Sequence, residues 1–150
     1  MRNIDWEIVL VRIRLIVKYC DSLEKFKSIS LDEYLGDFDR QLIVERLIQL
    51  MVEAATDINK YLLLQLYEIN PTTNFDSFSE AGQKGIITQN LADELAQSVG
   101  MRNILVYLYE DINSRIVFSV IPKALEQYRL YVQQVTAYLD SLEAEGWGTL

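Results

Sequence analysis

Apolar residues recur along this chain at steps of three and four, the spacing that lines one face of an α-helix. Ile4, Ile8, Val11, Leu15 and Cys20 or Tyr19 mark such a stripe and predict a first helix over residues 4–27. Ser28 to Ser30 interrupt it. Ser30 followed by Glu33 has the spacing of a capping box, so a short turn is expected through Leu35, ending at Gly36. Asp37 or Asp39 then opens a long helix to about Tyr67, with Ile43, Leu47, Leu50, Ala54, Ile58, Tyr61 and Leu62 on its apolar side. Asn70-Pro71-Thr72-Thr73-Asn74 reads as a loop. A short helix is expected at about 77–84, stopping near Gly85, and another over 89–98 behind a Thr88 cap. Gly100 is expected to separate that helix from the next, which begins at Arg102. Asn113 or Ser114 caps a further helix, and Pro122 either kinks it or starts the last one, which runs to about Glu145.

These elements give an all-α fold: an antiparallel helical bundle with two long N-terminal helices as a hairpin and a long C-terminal helix against them. Two prolines and six glycines in 150 residues leave long elements uninterrupted. The length suits a single domain over 1–150, and the tail 146–150, with Gly146 and Gly148 beside Trp147, is expected to fray. No repeat or low-complexity tract breaks the chain.

The formal charge of −8 argues against a broad basic face for nucleic acid, although it leaves room for a local one. Arg2, Arg12, Arg14 and Lys18 lie in the first helix, and Arg102, Arg115, Lys123 and Arg129 in the C-terminal half. No apolar run is long enough to span a membrane, and Asp5 and Glu7 interrupt the region where a signal peptide needs apolar residues, so a cytoplasmic location is expected. The single Cys20 rules out an internal disulfide and reads as a small core residue. The chain has no histidine, so no zinc site of ordinary kind and no Ser-His-Asp set is possible; neither a metal nor another cofactor is expected. Glu53 and Asp57 form an i, i+4 acidic pair, read as capping or as pairing with Arg46 or Arg102 in preference to a metal. Tyr128, Tyr131 and Tyr138 read as a packing stripe of the last helix in preference to a base-stacking platform. Trp6 reads as a core or interface anchor, and Trp147 as an exposed tail residue.

The densest polar chemistry is in Arg102-Asn103-Ile104-Leu105-Val106-Tyr107-Leu108-Tyr109. At about 100° per residue, Asn103 and Tyr107 stack one turn apart, and Arg102 and Tyr109 share an edge two turns apart. A guanidinium grips phosphate bidentately, so this is a candidate phosphate-handling surface. The segment resembles the signature of the HepT-like HEPN toxins, the helical partners of minimal nucleotidyltransferase (MNT) antitoxins. That signature is Arg, a polar residue, three positions, His, any residue, Tyr. Arg102, Asn103 and Tyr109 match it, whereas Tyr107 stands at the histidine position. Val44-Glu45-Arg46-Leu47-Ile48-Gln49-Leu50 through Glu53-Ala54-Ala55-Thr56-Asp57-Ile58-Asn59 is similar to the family's second helix. Gly85-Ile86-Ile87 and Gly100-Met101-Arg102-Asn103 resemble its later landmarks.

The resemblance implies a metal-independent endoribonuclease in which the ribose 2′-OH attacks. Arg102 would stabilise the charged phosphorane, Asn103 would orient a phosphate oxygen or a neighbouring side chain, and the residue at position 107 would move protons. A phenol with a pKa near 10 is about a thousandfold short of deprotonated at pH 7, so Tyr107 is a poor replacement and impaired cleavage is expected. The resemblance also implies an antitoxin that transfers AMP to Tyr109, and a homodimer with a composite cleft. Leu105, Val106 and Leu108 either pack that dimer or face the monomer core. The rival reading is a non-catalytic helical binding partner of a nucleotidyltransferase; a plain helical dimerisation domain is a third.

Overall fold

The computed structural model describes residues 3–107 and 114–149, and the side chains of these except 3, 101–107 and 149. Asp5 sets the start of the first helix: its carboxylate accepts the Glu7 N–H at 3.1 Å, and its own N–H donates to the Tyr61 hydroxyl at 2.8 Å. Helix α1 therefore spans Trp6–Glu24, shorter at both ends than the apolar stripe suggested. Its buried row is Val9, Ile13, Ile16, Cys20 and Leu23. Ile8 and Leu15 are half-buried and Val11 is 40% exposed, so the expected stripe is displaced by about one position. α1 carries apolar residues on several sides, and its amphipathic pattern leaves the register open. Packing on the long helix selects it.

The Ser30 hydroxyl accepts the Glu33 N–H at 3.1 Å and starts α2 (Leu31–Leu35), which ends at Gly36 as expected. Asp37 caps α3 (Phe38–Tyr67) by accepting the Arg40 N–H at 3.2 Å. Val44, not Ile43, is buried near the start of α3, with Ala54, Ile58 and Leu62 buried further along and Leu47, Leu50 and Tyr61 half-buried. Thr73 caps α4 (Asn74–Gln83), three residues earlier than its apolar pattern predicted. Thr88 then accepts the Leu91 N–H at 3.3 Å, and α5 runs over Gln89–Tyr107. Gly100 does not break it. A helical glycine costs about 1 kcal/mol relative to alanine, which the helix tolerates, and Gly100 does not take the left-handed conformation that Gly85 and Gly146 adopt. Pro122 likewise lies inside one helix, α6 (Ser114–Ala144). Ser114 is its first helical residue, and Asn113 falls outside the described residues.

The long-range contacts fix the directions of the bundle. Asp5 meets Tyr61 and Arg12 meets Asp57, so α1 and α3 are antiparallel. Arg129, at the middle of α6, bridges Asp21 at 3.5 Å and Glu24 at 3.1 Å near the end of α1, and Leu139 and Glu143 meet Trp6 and Leu10 at its start, so α6 is antiparallel to α1. Ser114 with Gln41, Tyr131 with Asn59 and Tyr138 with Tyr67 show that α3 and α6 run parallel. α5 is antiparallel to α6, with Thr88 opposite Gln134 and Glu94 opposite Gln127. α4 packs closely on α5 at Gly82, where an added Cβ would lie 2.5 Å from the Ala92 Cβ.

The termini are tied together. Asn3–Ile4 (β1) pairs in parallel with Gly148–Thr149 (β2), and Trp147 packs half-buried against the core beside Trp6. The expected frayed tail and exposed Trp147 are thus corrected through residue 149. Gly146 turns the chain with a positive φ, so the indole folds back onto α6.

Two residues at the centre give direct tests. Tyr131 Oη lies 3.0 Å from the Ala55 carbonyl and 2.6 Å from Asn59 Oδ1, fully buried. Tyr131→Phe removes the phenol and leaves those acceptors without its proton; a loss of about 1–3 kcal/mol is expected in denaturant unfolding. Burial pushes the Cys20 thiol from its ordinary 9.0 up to about 11, and Arg129 opposes this only in part. Cys20 is therefore expected to resist alkylation at pH 8 until the chain unfolds. Because its folded pKa is raised, the stability it contributes is full below about pH 9 and is lost as pH climbs through about 11. A series of unfolding curves across that window checks the sign.

Candidate functional site

Helix α5 carries the signature on its last two turns. Leu91, Ala92, Leu95, Ala96 and Val99 form its buried face. At about 100° per residue, positions 102, 103 and 106 continue the same angular sector, and position 107 lies at its edge. Along α5 the apolar row is thus followed in sequence by Arg102 and Asn103. Arg102, Asn103 and Tyr107 share one stretch of helix, and Tyr109 lies outside the described residues. Leu105 and Val106 are also on α5, and Leu108 is outside the described residues.

Register places neighbours around these positions. With Glu94 opposite Gln127 on an antiparallel pair, position 102 is level with about Val120 of α6. α3 runs parallel to α6, and its residues near Leu47 stand at the same level. Arg46, Lys123 and Arg115 therefore belong to the same end of the bundle. Arg46 donates to Gln49 Oε1 at 3.3 Å and has no carboxylate partner among the described residues. The other described arginines of the N-terminal half are paired elsewhere: Arg12 with Asp57, Arg14 with Glu7, and Arg40 with Glu33 and Asp37. Arg129 bridges Asp21 and Glu24 and does not join the basic end. The expected pairing of Asp57 with Arg46 or Arg102 is replaced by Arg12, because the antiparallel α1 brings Arg12 level with Asp57.

A cleft of about 340 Å³ opens between α3, α5 and α6 beside this level. Ile48 and Val52 line it from α3, and Val120 and Ala124 from α6. Its polar lining includes Glu94, Gln97, Ser98, Lys123, Gln127 and Tyr128. Gln127 Nε2 donates to Glu94 Oε2 at 3.3 Å. The Ser98 hydroxyl donates to the Leu95 carbonyl at 2.6 Å and lies beside the buried Tyr128 hydroxyl. Burial raises the Tyr128 phenol pKa, and the nearby Ser98 hydroxyl lowers it by a smaller amount. Close by, burial also raises the Glu45 carboxyl, and the Tyr34 phenol is raised by burial and then by Glu45. The signature alone does not reveal this cleft. Its signal in the sequence is the polar row Glu94, Ser98, Arg102, which recurs every four residues.

The tyrosine stripe is a packing feature. Tyr128 and Tyr131 are buried, and Tyr138 is half-buried with its hydroxyl 2.5 Å from that of Tyr67. Cys20 is buried in the core, and Trp6 packs against it. Among the described residues no helix is long and apolar enough to cross a membrane.

Known proteins share this chain's sequence and its helices. Residues 16–135 match the ribonuclease HepT-like family. The chain is 48% identical over 145 residues to the tRNA nuclease HepT of Aphanizomenon flos-aquae, covering 97% of this chain and 99% of that protein. It is 33% identical over 105 residues to the mRNA nuclease HepT of Shewanella oneidensis, covering 70% of this chain and 79% of that one. A solved structure of the tri-AMPylated Shewanella oneidensis HEPN toxin in complex with MNT antitoxin superposes with a TM-score of 0.80 at 29% identity, over 87% of this chain and 98% of that one. The helical bundle, the family match over residues 16–135 and 48% identity across nearly the whole length agree, and the chain belongs to the ribonuclease HepT-like family.

Proposed function

We propose that this chain is the toxin of a toxin–antitoxin pair, an endoribonuclease scaffold that works in the cytoplasm without a metal. The observation that carries the reading is the Arg102-Asn103 pair on α5, in a chain 48% identical to a tRNA nuclease across 97% of its length. The ribose 2′-OH attacks the adjacent phosphorus, the P–O5′ bond breaks, and a cyclic phosphate and a free 5′-hydroxyl result. Arg102 stabilises the charge that builds on the phosphorane, and Asn103 orients a phosphate oxygen. Position 107 takes the proton from the 2′-OH or returns one to the leaving oxygen. A phenol titrating near pH 10 does this badly, so the chain with Tyr107 is impaired.

The antitoxin is a nucleotidyltransferase of the MNT type that transfers AMP to the Tyr109 hydroxyl. The added phosphate puts negative charge and bulk seven residues from Arg102 in the chain, which opposes RNA entry. The formal charge of −8 suits a basic docking surface on that partner. A homodimer completes the cleft. Phe38 is 68% exposed, and Leu42 and Ile43 are each 48% exposed, beside the start of α6 where Ile116 is also exposed. Four large apolar groups at the signature end of the bundle support self-association there. A second reading, a non-catalytic partner of the nucleotidyltransferase, is favoured by the absence of histidine from the chain.

Tyr107→His is expected to raise RNA cleavage by about 10²–10⁴-fold in chelator, the usual contribution of general acid–base catalysis. If the folded variant cuts no better than the parent, the binding-partner reading replaces the nuclease. Incubation with the cognate nucleotidyltransferase and labelled ATP is expected to label the parent and leave Tyr109→Phe unlabelled; label retained by Tyr109→Phe assigns modification elsewhere. Phe38→Asp with Leu42→Asp is expected to convert dimer to monomer in sedimentation, and an unchanged dimer moves the interface to another face.

A further inference from the structure

The cleft between α3, α5 and α6 has a use that the phosphate chemistry of Arg102 leaves open. Its volume of about 340 Å³ is within the range of small-molecule sites, and its composition is that of such a site: apolar walls with a few polar groups converging. Ile48 and Val52 face Ala124 and Val120 across it. Two acceptors among the polar groups are free to meet a ligand's N–H groups. A carboxylate only accepts, and Glu94 has one oxygen bonded to Gln127 and the other without a partner among the described residues. Gln127 is itself 7% exposed, and its amide oxygen makes no hydrogen bond among the described residues. The Tyr128 hydroxyl, in a residue 1% exposed, lies beside the Ser98 hydroxyl at the floor of the cleft. The side chain of Lys123 adds a cation at the same cleft, with no carboxylate partner among the described residues.

We infer that this cleft binds a guanine base, with the Glu94 carboxylate and the Gln127 amide oxygen accepting its N–H groups and Lys123 meeting an attached phosphate. Guanine presents a ring N–H and an amino group side by side, the donor pair that a carboxylate accepts. Adenine and cytosine present one amino group, and uracil one ring N–H between two carbonyls, which an acceptor-rich site repels. Ser98 lines the cleft, and Arg102 is one turn further along α5, about 6 Å at 1.5 Å per residue. A base held here therefore has its phosphate within reach of the Arg102 turn. The role in RNA reading rests on the nuclease proposal above; binding of the base does not.

The test is calorimetric titration of the purified Tyr107 chain with the 5′-monophosphates of guanosine, inosine, adenosine and uridine. Guanosine monophosphate is expected to bind tightest, by roughly tenfold or more over uridine monophosphate, the discrimination one bidentate base contact gives. Inosine monophosphate, which lacks the amino group, falls between. Glu94→Gln, a near-isosteric change, is expected to abolish the preference while the helical circular dichroism and unfolding midpoint stay unchanged. Lys123→Ala, at an exposed position, weakens the monophosphate but not guanosine. Equal affinity for all four nucleotides, or a preference that survives Glu94→Gln, overturns the proposal. Short single-stranded RNAs with one central guanine or adenine separate the sources of the base. Tighter binding of the guanine RNA assigns the cleft to RNA, whereas indifference overturns the RNA role and leaves a free-nucleotide site. Guanine binding without cleavage by Tyr107→His retains the cleft and removes the nuclease. Cleavage by Tyr107→His with cut sites unmoved by Glu94→Gln does the reverse.

Discussion

One buried chain of hydrogen bonds holds the bundle in register. The Tyr131 hydroxyl of α6 shares its proton between the Ala55 carbonyl and Asn59 Oδ1 of α3. Asn59 Nδ2 donates to Ser77 Oγ of α4 at 3.5 Å, and Ser77 Oγ donates to the Asn74 carbonyl at 2.8 Å. Apolar packing alone tolerates a slide of one helix past another, because one leucine replaces the next at similar energy. A buried phenol and amide do not, since a slide leaves both unpaired in a low-dielectric core. Three helices are fixed relative to one another at this point. Gly82 then fixes the fourth, because only a residue without Cβ lets α4 and α5 approach as they do. The placement of Arg102 follows from that linkage: α5 is held by α4, and α4 by Ser77 and Asn59.

Charge is distributed to the same effect. The chain is acidic, yet its carboxylates draw off Arg12, Arg14, Arg40 and Arg129 along the flanks of α1, α3 and α6. These pairs are largely exposed, and each is worth little to stability. Their consequence is positional. They neutralise cations away from the signature and leave Arg46 and Lys123 near its level, with their charge uncompensated by a carboxylate among the described residues. A local basic end on an acidic protein favours a polyanion at one place and repels it elsewhere.

Much of the fold is legible in the sequence because it is local. The capping residues Ser30, Asp37 and Thr88 act within three residues of themselves, and all three start helices as read. The stop at Gly36 and the tyrosine packing stripe are equally local in origin. The misreadings have one cause. Val9 in place of Ile8, Val44 in place of Ile43, and continuity through Gly100 and Pro122 depend on which neighbour a helix meets, not on its own residues. The tail was misread for the same reason: Gly148 and Thr149 are ordered by Asn3 and Ile4, at the other end of the chain.

The sequence by itself determined the helix content, the ends of most helices, and the order Arg102, Asn103, Tyr107, because capping, periodicity and spacing are properties of neighbouring residues. It also determined that no histidine serves position 107. The tertiary structure alone decided that α3 and α6 run parallel, that Asp57 takes Arg12, and that Glu94, Gln127 and Tyr128 line one cleft beside the signature. Those facts join residues far apart in the chain. Packing between helices distant in sequence selects that arrangement, and the buried Tyr131–Asn59–Ser77 hydrogen bonds fix its register.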